Sequence, residues 1–133
     1  MKPIVSNSSL DLSCDALVEA YAAHRLSPVE VARAALARIE AVQPALRPFA
    51  HVDAEGALRA AAASEARWRA GEPLGLLDGV PTTVKDLLNV QGQPSRRGSA
   101  ALADAPPAAE DSASVARLRE HGAVILGKTA TPE

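Results

Sequence analysis

The sequence is poor in cysteine and in aromatic residues, and neither sign of charge dominates. Its 133 residues include three aromatic side chains and one cysteine, Cys14. A single cysteine cannot form an internal disulfide, so a reducing compartment is the default expectation. With 14 basic and 16 acidic residues the net charge is -2, which argues against a nucleic acid or a membrane surface as the main partner.

The N-terminus also lacks the long apolar stretch of a secretory signal. Asp11, Asp15 and Glu19 stand where such a signal is uncharged, so we expect a cytoplasmic protein. Hydrophobic residues make up 47% of the chain, but alanine supplies much of that share. Large side chains for burial are therefore few, although a chain of this length fits one domain.

Two helices are predicted between residues 10 and 45. Apolar residues recur at three- and four-residue spacings over residues 12–23, and Ser13 is suited to cap that helix. The second helix begins with a Ser-Pro-x-Glu sequence at Ser27, which combines an N-cap, a first-turn proline and a capping box. Pro44 is predicted to mark its end.

Residues 46–133 are predicted to form the first α/β units of a sheet. Strands alternate with helices there, which indicates two crossover units and an α/β fold whose helix-covered sheet is largely parallel or mixed. No helix is predicted for the far side of the sheet, so we expect a chain that is cut short or completed by something else. The predicted order is a strand at 47–52, a helix at 53–71, a strand at 79–90, a long loop at 91–110, a helix at 111–122 and a buried strand at 123–129.

Lys85 is the unusual residue of the strand predicted at 79–90. Side chains alternate along an extended strand, which places Val84 and Lys85 on opposite faces. One interpretation is a solvated lysine on a half-exposed strand, and the spacing alone favours it. The other is a neutral amine that takes a proton from a hydroxyl nucleophile, which requires desolvation to disfavour the ammonium form.

Two stretches make the chain recognisable. "GLLDGVPTTVKDLLNVQGQPSRRGS", followed by "DSASVARLREHGAVILGKTATPE", resembles the amidase signature family, with its Gly-Val-Pro-x-x-Val-Lys-Asp strand, Gly-Ser loop and Gly-Lys-Thr strand. The helical "LSPVEVARAALARIEAVQPAL" is similar to the N-terminal helices of that family. The resemblance covers residues 12–133. It implies that residues 1–133 are the N-terminal part of a single amidase domain, with an incomplete version of that fold.

The resemblance also implies a chemistry. The family hydrolyses or transfers amides with a Ser/cis-Ser/Lys triad, through an acyl-enzyme and without a metal or other cofactor. Lys85 matches the catalytic lysine, and Asp86, Gly98 and Ser99 match motif positions that we expect to support the site. Ser95 stands where the family often carries threonine, a departure expected to alter loop packing or the ligand charge preference.

The family's two catalytic serines lie in a Gly-Gly-Ser-Ser-Gly-Gly-like segment that these residues do not contain. Ser95, Ser99, Ser112 and Ser114 have no such context, and the last two are better explained as helix capping. We therefore expect the chain alone not to turn over an amide. The substrate-binding residues stay unknown. The partners expected are a small-molecule amide and the remainder of the amidase domain, and a homo-oligomer stays open.

Two functional alternatives remain. Within the family, the chain fits a glutaminase similar to the A subunit of an amidotransferase, which would imply protein partners. From a different class, it fits an inactive truncated remnant that acts as a binding module through its uncovered sheet. Sequence beyond residue 133 would separate the first alternative from an amidase, and a stable folded product of 133 residues is predicted by the second.

Two further patterns are weighed and set aside. Residues 122–129 match the phosphate-binding pattern Gly-x4-Gly-Lys-Thr, but the four intervening residues are an apolar strand and not a loop of free amides. His24, His51 and His121 have separations that fit no local metal-ligand motif. We predict neither a nucleotide site nor a metal site.

Overall fold

The structure is a computed structural model that describes residues 7–132. In these residues two short 3₁₀ helices, Asn7–Asp11 and Ala100–Leu102, accompany four α-helices and three β-strands. The α-helices are α1 Cys14–Ala22, α2 Pro28–Leu46, α3 Ala54–Ala70 and α4 Ala113–Glu120, and the strands are β1 Phe49–Val52, β2 Pro81–Lys85 and β3 Val124–Thr129.

The helices begin at the caps that the sequence predicts. The Ser13 hydroxyl accepts a hydrogen bond from a first-turn N–H of α1 at 3.2 Å. At α2 the capping box is complete, because the Glu30 carboxylate accepts from the Ser27 N–H at 3.0 Å while the Ser27 hydroxyl accepts from the first-turn amides. Asp53 caps α3, and Gly71 ends it in a left-handed conformation at φ 72°.

The prediction that α2 ends at Pro44 is wrong by two residues. Pro44 lies inside the last turn, and the helix stops when Arg47 adopts a left-handed conformation at φ 45°. Arg47 precedes Pro48, whose ring disfavours a helical conformation in the residue before it. The Gln43 side chain then fixes the exit, since its amide bonds both the N–H and the carbonyl of Phe49.

The three strands form one mixed sheet in the order β1-β3-β2. β2 and β3 are parallel and joined through α4, so this crossover unit is confirmed. β1 is antiparallel to β3 and has no direct pairing with β2, so the crossover predicted between those two strands is wrong. Of the largely parallel and mixed alternatives, the structure has the mixed one.

Helices pack on both faces of the sheet. Val124 and Leu126 of β3 lie in a cluster with apolar residues of α2 and α3. Ile125, on the opposite face, packs against Val115 of α4 and Val84 of β2. The prediction that no helix covers the far side is therefore wrong, because α4 lies there. No helix within residues 7–132 is long and apolar enough to cross a membrane.

The strand predicted at 79–90 is shorter in the structure. β2 ends at Lys85, and the chain turns at once. Because the extended conformation stops there, the predicted alternation is only partly met beyond this point: Val90 is buried as predicted, but Leu88, predicted on the same face, is 38% exposed. The alternation is confirmed at Val84, which is buried, and at Lys85, which is exposed.

Candidate active site

Lys85 sits at the carboxyl end of β2 with its backbone firmly held. It pairs with Thr129 of β3, and its carbonyl accepts hydrogen bonds from Leu87 N–H at 2.7 Å and Leu88 N–H at 3.0 Å. The ammonium group forms no ion pair within residues 7–132. Lys85 thus has a fixed backbone and, among the described residues, no ion-pair partner.

The surroundings of Lys85 are open and partly apolar. Leu87 and Leu88 follow it in the chain, and their side chains are 47% and 38% exposed. Residues 7–132 therefore leave the Lys85 side chain hydrated, and they do not supply the desolvation that a neutral amine needs.

Asp86 lies next to Lys85 but points into the protein. Its carboxylate is 2% exposed and accepts hydrogen bonds from the backbone N–H groups of Arg96 and Arg97, each at 3.2 Å at the nearest. Its own N–H donates to the carbonyl of Thr129 at 3.0 Å. Asp86 does not pair with Lys85, and it ties the end of β2 to β3 and to the loop after it.

Lys128 is the partner of Asp86, and the sequence reasoning missed it. Its side chain is fully buried on β3, and its Nζ lies 2.8 Å from an Asp86 oxygen. The ammonium also donates to the Pro94 carbonyl at 3.0 Å and to the Ser95 hydroxyl, so all three N–H groups have partners. This lysine belongs to the Gly-Lys-Thr sequence, which we weighed as a family motif and as a phosphate-binding pattern without predicting its contact with Asp86. A lysine in an otherwise apolar strand was the available signal.

Gly98 and Ser99 lie in the loop that Asp86 holds. Gly98 has φ 74°, and a Cβ there would lie 2.6 Å from the carbonyl oxygen of Thr131, so only glycine fits without displacement. The Ser99 N–H donates to the Arg96 carbonyl at 2.9 Å. Gly98, Ser99, Asp86 and Arg96 line a cavity of about 300 Å³ beside the loop.

A second ion pair, between the partly exposed Arg67 and the buried Asp78, holds the chain just before β2. Asp78 accepts from two guanidinium nitrogens of Arg67, at 2.9 and 2.7 Å, and from the Leu74 N–H at 2.7 Å. Burial alone raises the pKa of Asp78, but these bonds and the Arg67 charge outweigh it and hold that pKa below its usual value. The same contact raises the pKa of Arg67. The Tyr21 hydroxyl donates to the Gly79 carbonyl at 3.1 Å, so the strand is anchored from α1 as well.

The structure also places the capping serine, the metal-site pattern and the phosphate-binding pattern weighed in the sequence. Ser112 does not cap α4 with its side chain, which corrects the capping prediction; its hydroxyl accepts from the Asn89 N–H at 2.8 Å. Within residues 7–132 no three His, Cys, Asp or Glu side chains are placed to hold a metal ion. The phosphate-binding pattern lies on the buried strand β3, as its composition predicts.

A family model described as Amidase matches residues 30–133. The chain belongs to the amidase family. The predicted resemblance and the α/β fold are thereby confirmed. In this amidase-family chain, the Val-Lys-Asp sequence lies at the end of β2 and the Gly-Lys-Thr sequence at the end of β3. The two strands are parallel neighbours, and the Asp86–Lys128 pair joins them.

Several relatives define what this amidase-family chain is similar to. The A subunit of the glutamyl-tRNA(Gln) amidotransferase of Salinispora tropica is 53% identical over 103 residues, which cover 77% of this chain and 21% of that protein. An acylamidase of Rhodococcus erythropolis is 41% identical over 122 residues, covering 92% of this chain and 25% of that protein. The native peptide amidase of Stenotrophomonas maltophilia superposes with a TM-score of 0.84 at 32% identity, over 92% of this chain and 25% of that one. The chain thus spans a quarter or less of the length of these relatives.

Proposed function

We propose that residues 1–133 are the N-terminal part of a single amidase domain that cleaves a carboxylic amide, with Lys85 as the base. The observation that carries this proposal is the contrast between the two lysines of residues 7–132. Lys128 is buried and its three N–H groups are hydrogen-bonded, whereas Lys85 is exposed and forms no ion pair with any residue from 7 to 132. Of these two, only Lys85 is free to exchange a proton with a substrate-side group.

The chemistry follows from a serine pair supplied by chain outside residues 1–133, since these residues contain no Gly-Gly-Ser-Ser-Gly-Gly-like segment. The neutral Lys85 amine takes the proton of the middle serine hydroxyl, which takes the proton of the nucleophilic serine. The serine oxygen attacks the amide carbon, and the C–N bond breaks as the nitrogen leaves with a returned proton. Water then hydrolyses the acyl-serine ester, which gives the acid and restores the serine.

The surface of the described residues supports packing against further chain. β2 pairs with β3 alone among the described strands, so one edge of the strand that carries Lys85 is free. Leu87 and Leu88 expose apolar surface next to it. A groove of about 620 Å³ on α2 and α3 is lined mainly by apolar side chains, including Leu36 and Leu58. Chain that covered the Lys85 end of β2 would remove water from the amine and favour its neutral form.

A hybrid enzyme tests the role of Lys85. This chain would replace the matching N-terminal quarter of the Rhodococcus acylamidase, and the turnover of an acylated amine would be measured. Because general bases contribute about 10²- to 10⁴-fold, Lys85→Met should lower kcat by about that factor. Arg59→Met, which removes an exposed cation on α3, is the matched control and should leave kcat unchanged.

Two results would contradict the proposal. The first is an undiminished kcat in the Lys85→Met hybrid. The second is Lys85-dependent amide hydrolysis by purified residues 1–133 alone, because that would show that no external serine pair is needed.

A cytoplasmic location is part of the same proposal, and fluorescence of a tagged chain in cells checks it.

A glutaminase similar to the A subunit of an amidotransferase is the second candidate, and the 53% identity to the Salinispora protein favours it. A parallel hybrid with the remaining part of that protein separates the two. If this chain derives from an amidotransferase, the glutaminase hybrid should recover a larger fraction of its parent's kcat than the acylamidase hybrid does. Equal or lower recovery would favour the acylamidase-like function.

A further inference from the structure

We propose that Asp86 and Lys128 are positioning residues for the Lys85 base, a role that rests on the function proposed above. Asp86 follows Lys85 directly, and Lys128 lies on the adjacent strand, where it is paired in register with Val84. The ion pair at 2.8 Å therefore spans β2 and β3 immediately beside the residue whose amine must be aimed.

The hydrogen bonds around Asp86 fix the backbone on the carboxyl side of Lys85. The Asp86 N–H is bound to β3 through Thr129, and the carboxylate is bound to Lys128 and to the amides of Arg96 and Arg97. Since β2 also holds the preceding residue in its ladder, the Lys85 Cα is constrained from both directions. The position from which the long, flexible Lys85 side chain extends is thereby fixed.

Stability alone does not explain why these two positions carry charges. Replacing a buried ion pair by apolar residues of similar volume is often neutral or stabilising, because desolvation offsets much of the attraction. Here both charges are buried, and every Lys128 hydrogen has an acceptor in the segment that runs from Asp86 to Ser95. Ser95 in turn donates to Asn89 at 3.0 Å. The pair thus selects one conformation of the turn after Lys85.

The Arg67–Asp78 pair offers a matched control at the other end of β2. It is also charged and hydrogen-bonded, but it lies before the strand and touches none of the loop at 89–99. Two neutralised double variants, Asp86→Asn/Lys128→Met and Arg67→Met/Asp78→Asn, leave no unpaired buried charge. We therefore expect both double variants to fold.

Amide hydrogen exchange on the 133-residue chain tests the geometry without any enzyme activity. In Asp86→Asn/Lys128→Met, the amides of Asp86, Arg96 and Arg97 should exchange about tenfold faster or more, while Val124 N–H, bonded to Val80, stays protected. The control pair variant should accelerate exchange at Leu74 and leave Arg96 and Arg97 as they were. Unchanged protection at Arg96 and Arg97 in the first variant overturns the inference and leaves the proposed function intact.

The hybrid acylamidase supplies the second readout. Because small displacements of a reacting group cost up to about 10²-fold in rate, the Asp86/Lys128 variant should lower kcat by roughly 10- to 100-fold with KM unchanged. The control pair variant should keep kcat within about twofold of the parent. Equal kcat losses in the two variants would overturn the positioning role, whereas full activity in Lys85→Met would overturn the proposed function instead.

Discussion

The two ends of β2 are held by different kinds of ion pair. Before the strand, Arg67 and Asp78 join the end of α3 to the turn that follows it, and the Arg67 side chain is 26% exposed. After the strand, Asp86 and Lys128 join two strands and a loop, and the side chains are 2% and 0% exposed. One pair closes a short segment and lies partly at the surface, whereas the other connects distant segments in the protein interior.

This difference in solvation predicts how each end responds to mutation. An ion left behind at the first end is reached by water, because its partner already lies partly at the surface. An ion left behind at the second end stays buried and carries the full desolvation cost. The end of the strand that carries the candidate base is therefore the less tolerant one.

Lys128→Met is expected to have the largest effect on stability. It leaves the Asp86 carboxylate buried with only backbone N–H donors, so the free energy of unfolding should fall by about 3–5 kcal/mol. Urea denaturation of the 133-residue chain measures the change. Adding Asp86→Asn should restore much of the loss, and a double variant no better than the single one would show that packing, and not charge, matters there.

Arg67→Met tests the other pair and should cost less, about 1–3 kcal/mol. Asp78 keeps its bond to the Leu74 N–H at 2.7 Å, and water can reach the place of the partly exposed guanidinium. The same urea titration, run beside Lys128→Met, makes the comparison direct. A larger loss for Arg67→Met than for Lys128→Met would reverse the predicted order of the two ends.

The smallest expected effect is a pH dependence that comes from Asp78. Its pKa is lower in the folded chain than in the unfolded one, so its contribution is fully present above the usual aspartate pKa. That contribution is lost as the pH falls through the depressed native value. Thermal unfolding from pH 5 downward should show a steeper decline for the native chain than for Asp78→Asn, and parallel curves would exclude this source.

Local sequence signals predicted the elements well where each signal acts within one turn. The Ser13 cap and the capping box at Ser27 and Glu30 are confirmed, because their partners lie within a few residues. Predictions that depended on distant partners failed. The strand predicted at 79–90 stopped at Lys85, where Asp86 turns inward to partners that lie far along the chain.

The candidate site shows the same contrast between features that local sequence predicts and features that depend on distant contacts. The motif at Lys85 was visible in the sequence, and the structure adds that its ammonium is unpaired within residues 7–132. The ion pair of Lys128 could not be predicted, because a linear Gly-Lys-Thr sequence does not show that the Asp86 carboxylate lies 2.8 Å from the Lys128 ammonium. Its catalytic consequence stays a prediction until the hybrids are measured.

By itself the sequence determined where the helices begin, which strands are apolar, and the family to which the chain belongs, because caps, periodicity and motifs act over short separations. Only the tertiary structure decided the strand order, the turn after Lys85 and, within residues 7–132, which lysine is buried in an ion pair. The physical reason is that a charge can be buried only where its counter-charge and hydrogen-bond partners meet it, and that meeting is set by the packing of remote segments.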